Sequence, residues 1–274
     1  MQRIYKDIEY AFQSVAQKLD IYLPSGTSGL TPVILWLHPG GFTMGDKSMV
    51  YSFLDYFLDR HYAVVSANYR LADEAIFPAQ IYDAKAAVRW IRANTAKYDF
   101  NSVKIAAWGI SAGSTFATLL GTSAHVRELE DLSMGNPDES SMLSAVVAFI
   151  GPYDFLNMDS QLVQQGFKPI HDTATSGLSQ VIGGRLSEFP DRCKAISPLS
   201  YITSGSCPFY LQHGTADEIV PYLQSVNLAE ALIAVIGKDK VLLNLIENAG
   251  HFDPVHYSPE NMKKALDFLD KYLK

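Results

Sequence analysis

Short apolar runs alternate along this chain with longer stretches of helical periodicity, and this alternation constrains the fold more than any other feature. The runs are rich in Val, Ile and aromatic residues and are apolar throughout, as expected of strands that are covered on both faces. They are Val33–Leu37, Ala63–Ala67, Val103–Trp108, Ala145–Ile150, Pro208–Gln212 and Val241–Ile246. A strand followed by a helix, repeated in this way, predicts an α/β fold with a mostly parallel sheet and helices on both faces.

Proline and glycine mark the ends of the remaining elements. Gln17–Leu23 is predicted to be an edge strand because it ends at Pro24. One helix is predicted from Pro78 to about Lys97 and another from Pro221 to Gly237. The last helix begins with a serine cap and a first-turn proline at 258–259, and its predicted buried stripe is Met262, Leu266, Leu269 and Leu273.

The length and composition are those of a globular protein. The chain has 274 residues, of which 48% are hydrophobic and 19% charged, so it can bury a full core. We find no repeat or linker and predict a single domain over residues 1–274. Two polar, turn-rich segments at about 122–143 and 154–196 interrupt the alternation. Each is predicted to form a small lid or pocket wall, with an exposed surface loop as the alternative.

Charge, hydropathy and cysteine usage limit the partners and the cellular location that the chain can have. The net charge is −7 and no basic tract occurs, which argues against binding to nucleic acid. No apolar stretch is long enough to predict a membrane span. The N-terminal residues show no signal peptide, so a cytoplasmic location is expected. Cys193 and Cys207 are expected to be reduced thiols rather than a disulfide framework.

The sharpest chemical signal is the motif Gly109–Gly113, which reads G-x-S-x-G. It directly follows the predicted strand Val103–Trp108, and a helical stretch, Thr115–Leu120, comes after it. This strand–turn–helix context holds a serine hydroxyl above the sheet edge, where it can act as a nucleophile. Ser111 is therefore the predicted nucleophile, and a structural turn serine is the alternative.

A serine hydroxyl needs a base and an orienting acid, and both should follow other strands of a parallel sheet. His251 follows the run Val241–Ile246, and Asp217 follows Pro208–Gln212, which gives the chain order Ser, Asp, His expected of such a site. We predict a Ser111–His251–Asp217 triad. The weaker competitors are His256 for the base, Asp154 and Glu218 for the acid, and His38 and His213, which are better explained as histidines that steady loops.

A glycine-containing turn, His38–Phe42, follows the run Val33–Leu37. Backbone N–H groups in such a turn can stabilise a tetrahedral oxyanion together with the N–H of the residue after the nucleophile. The predicted oxyanion donors are Gly40, Gly41 and Ala112. Pro39 has no N–H and cannot contribute. A simple glycine turn is the alternative.

Taken together, these motifs resemble the carboxylesterase branch of the α/β hydrolases that includes the hormone-sensitive-lipase-like and feruloyl-esterase-like (BD-FAE) enzymes with an H-G-G-G oxyanion run. Pro39 departs from that run. The likeness extends from about residue 17 to the end of the chain, and further segments that carry it are Asn68–Leu71, Phe77–Gln80 with Asp83, Arg89–Asn94, Gly135–Asp138, Ser140–Ser141, Gly151–Leu156 and Ser197–Pro198. The resemblance implies an α/β-hydrolase fold with a central sheet of about eight strands.

The resemblance also implies hydrolysis of small-molecule esters with short-chain acyl, acetyl or aromatic-acid groups, without metal or cofactor. The residues agree, since no His, Cys and Asp cluster has metal-ligand spacing. Two alternatives are a peptidase or amidase on the same triad and a non-catalytic ligand-binding relative. The sequence does not decide between a monomer and a homo-oligomer. The residues predicted to bind the substrate are Phe42, Tyr69, Tyr153 and Phe155.

Overall fold

The computed structural model describes residues 3–26 and 29–274 and contains one eight-stranded sheet. Met1 and Gln2, the start of the segment searched for a signal peptide, lie outside the described residues. The strands are β1 (Arg3–Glu9), β2 (Lys18–Leu23), β3 (Thr31–Leu37), β4 (Ala63–Ala67), β5 (Phe100–Ile110), β6 (Ala145–Phe149), β7 (Phe209–Gly214) and β8 (Val241–Ile246). Their order is β1-β2-β4-β3-β5-β6-β7-β8. The strands from β3 to β8 are parallel to one another. β1 pairs antiparallel with β2, and β2 pairs antiparallel with β4, so the predicted, mostly parallel fold class is confirmed.

The two edges of the sheet differ from the prediction. The assignment of Gln17–Leu23 as the edge strand is wrong, because β2 pairs with β4 on one side and with β1 on the other. β1 is largely exposed and polar, so its sequence lacks the apolar run of a buried strand. At the other edge, β8 is not covered on both faces, since Leu242 and Leu245 are exposed.

Nine α-helices cover the sheet within the described residues. They are α1 (Leu54–Leu58), α2 (Ala79–Ala93), α3 (Thr95–Tyr98), α4 (Ala112–Thr122), α5 (Met158–Gln164), α6 (Gly177–Ile182), α7 (Pro190–Ile196), α8 (Leu223–Ile236) and α9 (Pro259–Leu273). The single helix predicted from Pro78 to Lys97 is divided into α2 and α3 at Asn94. In α9, Ser258 caps the backbone N–H of Asn261, and the predicted apolar stripe is buried. No helix in the described part of the chain is long and apolar enough to cross a membrane.

Helix α2 is buried nearly all round, including its charged residues Asp83, Lys85 and Arg89. The reason lies in the first insertion, which covers the face of α2 that points away from the sheet. Lys85 donates to the Ser123 carbonyl at 2.7 Å and pairs with Glu130 at 3.2 Å. Arg89 donates to the Asp131 carbonyl at 2.8 Å. Segment 122–143 is thereby anchored to α2.

Candidate active site

Ser111 lies at the sharp turn between β5 and α4, with φ 51° and ψ −120°. Few non-glycine residues adopt a positive φ, and at a sheet edge this strained geometry aims the side chain away from the backbone of both elements. The flanking glycines make the turn possible. A Cβ on Gly109 would overlap the carbonyl oxygen of Gly113, and a Cβ on Gly113 would overlap that of Leu37. The motif therefore brings β3, β5 and α4 closer together than larger residues would allow.

Because the backbones approach so closely, we expect that one added methyl group at Gly113 destabilises the protein. Gly113→Ala should lower the free energy of unfolding by about 1–3 kcal/mol or more, because a backbone carbonyl must move to admit the new Cβ. Urea denaturation measures the change. The matched control is Gly205→Ala, where the nearest atom to the new Cβ would be 3.6 Å away and φ is not positive. Its stability should stay within about 1 kcal/mol of the wild type. Equal stability of the two variants would contradict the packing argument.

The structure brings the three predicted triad residues into one hydrogen-bonded chain. Ser111 Oγ lies 3.1 Å from His251 Nε2, and His251 Nδ1 lies 2.7 Å from Asp217 Oδ2. Asp217 is fully buried and His251 nearly so. These distances permit proton transfer from the serine to the imidazole.

The competing residues occupy other positions. His256 Nε2 donates to the Gly250 carbonyl at 2.9 Å, which holds the loop that carries His251. Asp154 accepts from the side chain of Asn157 at 2.6 Å, and Glu218 is exposed.

The Asp217 carboxylate receives four N–H donors. Oδ1 accepts from the backbone N–H groups of Ile219 at 2.9 Å and Val220 at 2.8 Å. Oδ2 accepts from His251 and, at 3.2 Å, from His213 Nε2. Burial alone would raise the pKa of Asp217, but the hydrogen bonds from the two histidines outweigh it and hold the pKa well below its usual value. Asp217 is therefore ionised at neutral pH.

His213 is a second histidine on the same carboxylate, which the sequence did not indicate. Its Nε2 also lies 2.8 Å from the Val220 carbonyl, which can only accept, so Nε2 carries the proton. Nδ1 then accepts from the Ser225 hydroxyl at 2.7 Å. His213 is fully buried and steadies the acid loop from behind.

The turn after β3 has the backbone freedom that an oxyanion site needs. Gly40 and Gly41 have φ of 138° and 58°, values that favour glycine, and a Cβ on Gly40 would overlap the Met44 carbonyl. Within the described residues, no acceptor pairs with the N–H groups of Gly40, Gly41 or Ala112. Ala112 is also the first residue of α4, whose N-terminal dipole favours negative charge.

Three further contacts support this turn. His38 Nδ1 lies 2.8 Å from the Pro39 carbonyl, and its ring stacks on Tyr69 with centroids 4.2 Å apart. Burial lowers the pKa of His38 to about 4, so it is neutral at pH 7. From the second insertion, Gly177 packs so tightly on Gly41 that a Cβ would overlap the Gly41 carbonyl.

A cavity of about 510 Å³ opens over Ser111 and His251. Its described wall contains no Asp, Glu, Lys or Arg side chain. The lining residues are Pro39, Gly40, Gly41, Thr43, Met44, Met49, Ile110, Ser111, Ile150, Gly177, Ile219, His251, Phe252 and Tyr257. Segment 154–196 thus contributes to the wall through Gly177, whereas no residue of segment 122–143 lines this cavity.

The four aromatic residues predicted to bind the substrate do not line the cavity. Each is at most 1% exposed, so the structure places all of them in the core. Phe42 packs against Phe155 with ring centroids 5.6 Å apart, and the Tyr69 hydroxyl donates to the His38 carbonyl. Tyr153 lies behind the sheet edge, where its backbone N–H donates to Gln224. All four side chains belong to the hydrophobic core, which buries almost their whole surface.

Apart from Ser111, His251 and residues 39–41 of the oxyanion turn, the residues that line the cavity were not assigned to the site from the sequence. Met44 and Phe252 are sequence neighbours of the predicted oxyanion turn and base, and this proximity was the available signal. Ile150 follows β6 with φ 50°, an unusual strain for a β-branched residue, and no sequence pattern indicates it. Over the described ranges, no group of three or more His, Cys, Asp or Glu side chains is arranged to hold a metal ion.

Comparison with known proteins places this geometry in a family. A family model described as BD-FAE matches residues 19–232. Esterase LipQ of Mycobacterium tuberculosis is 30% identical over 203 residues, which are 73% of this chain and 45% of LipQ. The chain spans about half the length of the curated relatives it matches.

Solved structures agree with the family match. A truncated form of a carbohydrate esterase from gut microbiota is 28% identical, with a TM-score of 0.90 over 99% of this chain and 96% of that one. Esterase 2 of Thermogutta terrifontis, solved in a form phosphonylated by cyclosarin, is 22% identical, with a TM-score of 0.74 over 98% of this chain and 93% of that one, and it supports the fold alone. The chain therefore belongs to the BD-FAE family of α/β hydrolases.

Proposed function

We propose that this protein is a serine carboxylesterase. The observation that carries the proposal is the hydrogen-bonded chain from Ser111 through His251 to Asp217, with distances of 3.1 and 2.7 Å. This chain lies at the base of a cavity whose described lining has no Asp, Glu, Lys or Arg side chain. Such an arrangement activates a serine hydroxyl for attack on an acyl group. The names of the related esterases support the same reaction class.

The reaction begins when Ser111 Oγ attacks the ester carbonyl while His251 Nε2 takes its proton. Negative charge then develops on the carbonyl oxygen, and the free N–H groups of Gly40, Gly41 and Ala112 are the donors available to stabilise it. Collapse of the tetrahedral intermediate transfers the proton from His251 to the leaving alcohol. Water then attacks the acyl-enzyme with His251 again as base. Asp217, ionised throughout, holds the imidazole tautomer and stabilises the imidazolium.

The cavity suggests an uncharged substrate of modest size. A volume of about 510 Å³ suits a small ester, since ligand pockets commonly measure roughly 300–1,000 Å³. We propose that the acyl group is a short-chain, acetyl or aromatic-acid group. An ester on a carbohydrate is one candidate, because the structural relative of TM-score 0.90 is described as a carbohydrate esterase.

A series of p-nitrophenyl esters from acetate to palmitate tests the activity. We expect turnover of the short esters and a decline with chain length as the acyl group outgrows the cavity. The chain-length optimum measures the acyl space. Absence of turnover with every ester, beyond the rate of a Ser111→Ala variant, would contradict the proposed function.

We also propose that the protein acts in the cytoplasm. Support comes from Cys193 and Cys207, which are free thiols and would persist in a reducing compartment. Fractionation of cells that express the native gene tests the location, and recovery outside the cytoplasmic fraction would contradict it.

A further inference from the structure

Phe252 is an exposed aromatic residue at the mouth of the cavity. Its side chain is 78% exposed, yet it lines the cavity over Ser111. The phenyl ring lies perpendicular to the imidazole of His251, with ring centroids 5.1 Å apart. Single exposed apolar residues are common on protein surfaces. This one differs because it contacts the proposed general base and lines the cavity, so it lies where a substrate would bind.

The chemistry of ester hydrolysis decides which part of a substrate reaches Phe252. His251 Nε2 must deliver a proton to the alcohol oxygen as the C–O bond breaks. The leaving alcohol therefore departs on the His251 side of Ser111, whereas the acyl group stays bound to Ser111 Oγ. A group attached to the alcohol oxygen passes the ring of Phe252.

The surroundings of Phe252 select the kind of alcohol. Met44 and Met49, 65% and 44% exposed, line the same cavity and complete an apolar rim. No charged side chain in the described wall could pair with an ionised substrate. Besides Ser111 and His251, the polar side chains of this wall are Thr43 and Tyr257, which offer hydroxyl groups only. A flat phenyl face beside this apolar rim binds a ring-shaped alcohol better than a linear one, because a ring can stack on the phenyl group and a linear chain cannot.

We propose that Phe252 forms one wall of a leaving-group subsite, which binds an uncharged, ring-shaped alcohol by stacking the flat face of that ring on the phenyl group. The inference rests on the proposed esterase function and specifies its alcohol side. A benzylic alcohol and a pyranose sugar share the required chemistry, because both present a flat, weakly polar face.

Four acetate esters test the subsite: benzyl, cyclohexylmethyl and n-heptyl acetate, which have seven-carbon alcohols, and a monoacetylated methyl xylopyranoside. Phe252→Ala should lower kcat/KM for esters with ring alcohols by roughly tenfold and leave n-heptyl acetate nearly unchanged. Phe252→Leu keeps apolar volume without a flat face and should lose the same preference. Phe12→Ala is the matched control, since Phe12 is 86% exposed and does not line the cavity.

The acetyl-enzyme is common to all four esters, so its hydrolysis separates the two sides of the site. Rapid-quench measurement should give the same deacylation rate for the wild type and Phe252→Ala. If kcat/KM of Phe252→Ala falls for benzyl acetate alone, the subsite is specific for aryl alcohols. If kcat/KM also falls for the acetylated xyloside, the subsite accepts sugars as well.

Three results for Phe252→Ala would overturn the inference. They are an unchanged kcat/KM for every ester, an equal loss of kcat/KM on all four esters, and slower deacylation than in the wild type. Failure of the wild type to hydrolyse any of the four esters in a Ser111-dependent manner would instead contradict the esterase function itself.

Discussion

Replacement of Ser111 by alanine should lower kcat for hydrolysis of short esters by roughly a million-fold, as expected when a triad nucleophile is removed. The loss is confined to chemistry because, among the residues that the structure describes, the hydroxyl has no hydrogen-bond partner besides His251. The Ser111 side chain makes no capping hydrogen bond to α4. We therefore expect the thermal unfolding midpoint of the variant to stay close to that of the wild type.

The control for this substitution is Ser25→Ala. Ser25 is exposed and follows β2, whose C-terminal end pairs with the start of β4, at the sheet edge opposite Ser111. The Ser25→Ala variant should hydrolyse esters at the wild-type rate. Activity that survives in Ser111→Ala at more than about a thousandth of the wild-type kcat would exclude Ser111 as the nucleophile, given the size of effect expected for a triad.

Asp217→Asn should lower kcat by roughly ten-thousand-fold, since an amide cannot fix the His251 tautomer that accepts the serine proton. The structure adds a second consequence. Four N–H donors converge on the carboxylate, and an asparagine has only one oxygen to accept them. In either orientation its NH₂ group meets donors, so the variant should also lose about 1–3 kcal/mol of stability.

The difference in unfolding free energy between the wild type and Asp217→Asn should become smaller as the pH falls. The pKa of Asp217 is lower in the folded protein than in the unfolded chain, so the ionised carboxylate stabilises the native state. That contribution is complete above the unfolded value of about 4 and is lost as the pH falls toward the lower folded value. Urea denaturation of the wild type and Asp217→Asn should therefore show a gap at neutral pH that narrows below about pH 4. A gap that widens in acid would contradict this account.

Asp154→Asn is the matched control for the acid. Asp154 also follows a strand and is the other aspartate that the sequence offers for this role. Its carboxylate accepts from Asn157 and is not in contact with either triad partner. We expect its kcat within about threefold of the wild type, in the range of an ordinary surface substitution. A large loss here, with activity retained in Asp217→Asn, would reverse the assignment of the acid.

The sequence alone determined the features that depend on local pattern. The apolar runs predicted β3 to β8. For the inner strands the reason is that a strand buried on both faces must be apolar throughout. β8 has the same apolar pattern, although it lies at the sheet edge and is only partly covered. The G-x-S-x-G turn located Ser111, and strand ends located Asp217 and His251, because parallel strands bring their carboxyl ends to one edge. For the same reason Gly40 and Gly41 were predicted near the nucleophile. The exposed strand β1 has no such pattern and was missed.

Only the tertiary structure decided what surrounds those residues. Phe42, Tyr69, Tyr153 and Phe155 are near the site in sequence, yet they pack into the core and leave the cavity wall to Met44, Ile150, Gly177 and Phe252. His213 lies in β7 and contacts the Asp217 carboxylate because the turn after β7 brings Asp217 back toward the strand, and residue spacing does not predict that path. The charged face of α2 is buried because a distant segment covers it. Local pattern specifies which element a residue belongs to, but its exposure and partners depend on segments far along the chain that pack against it.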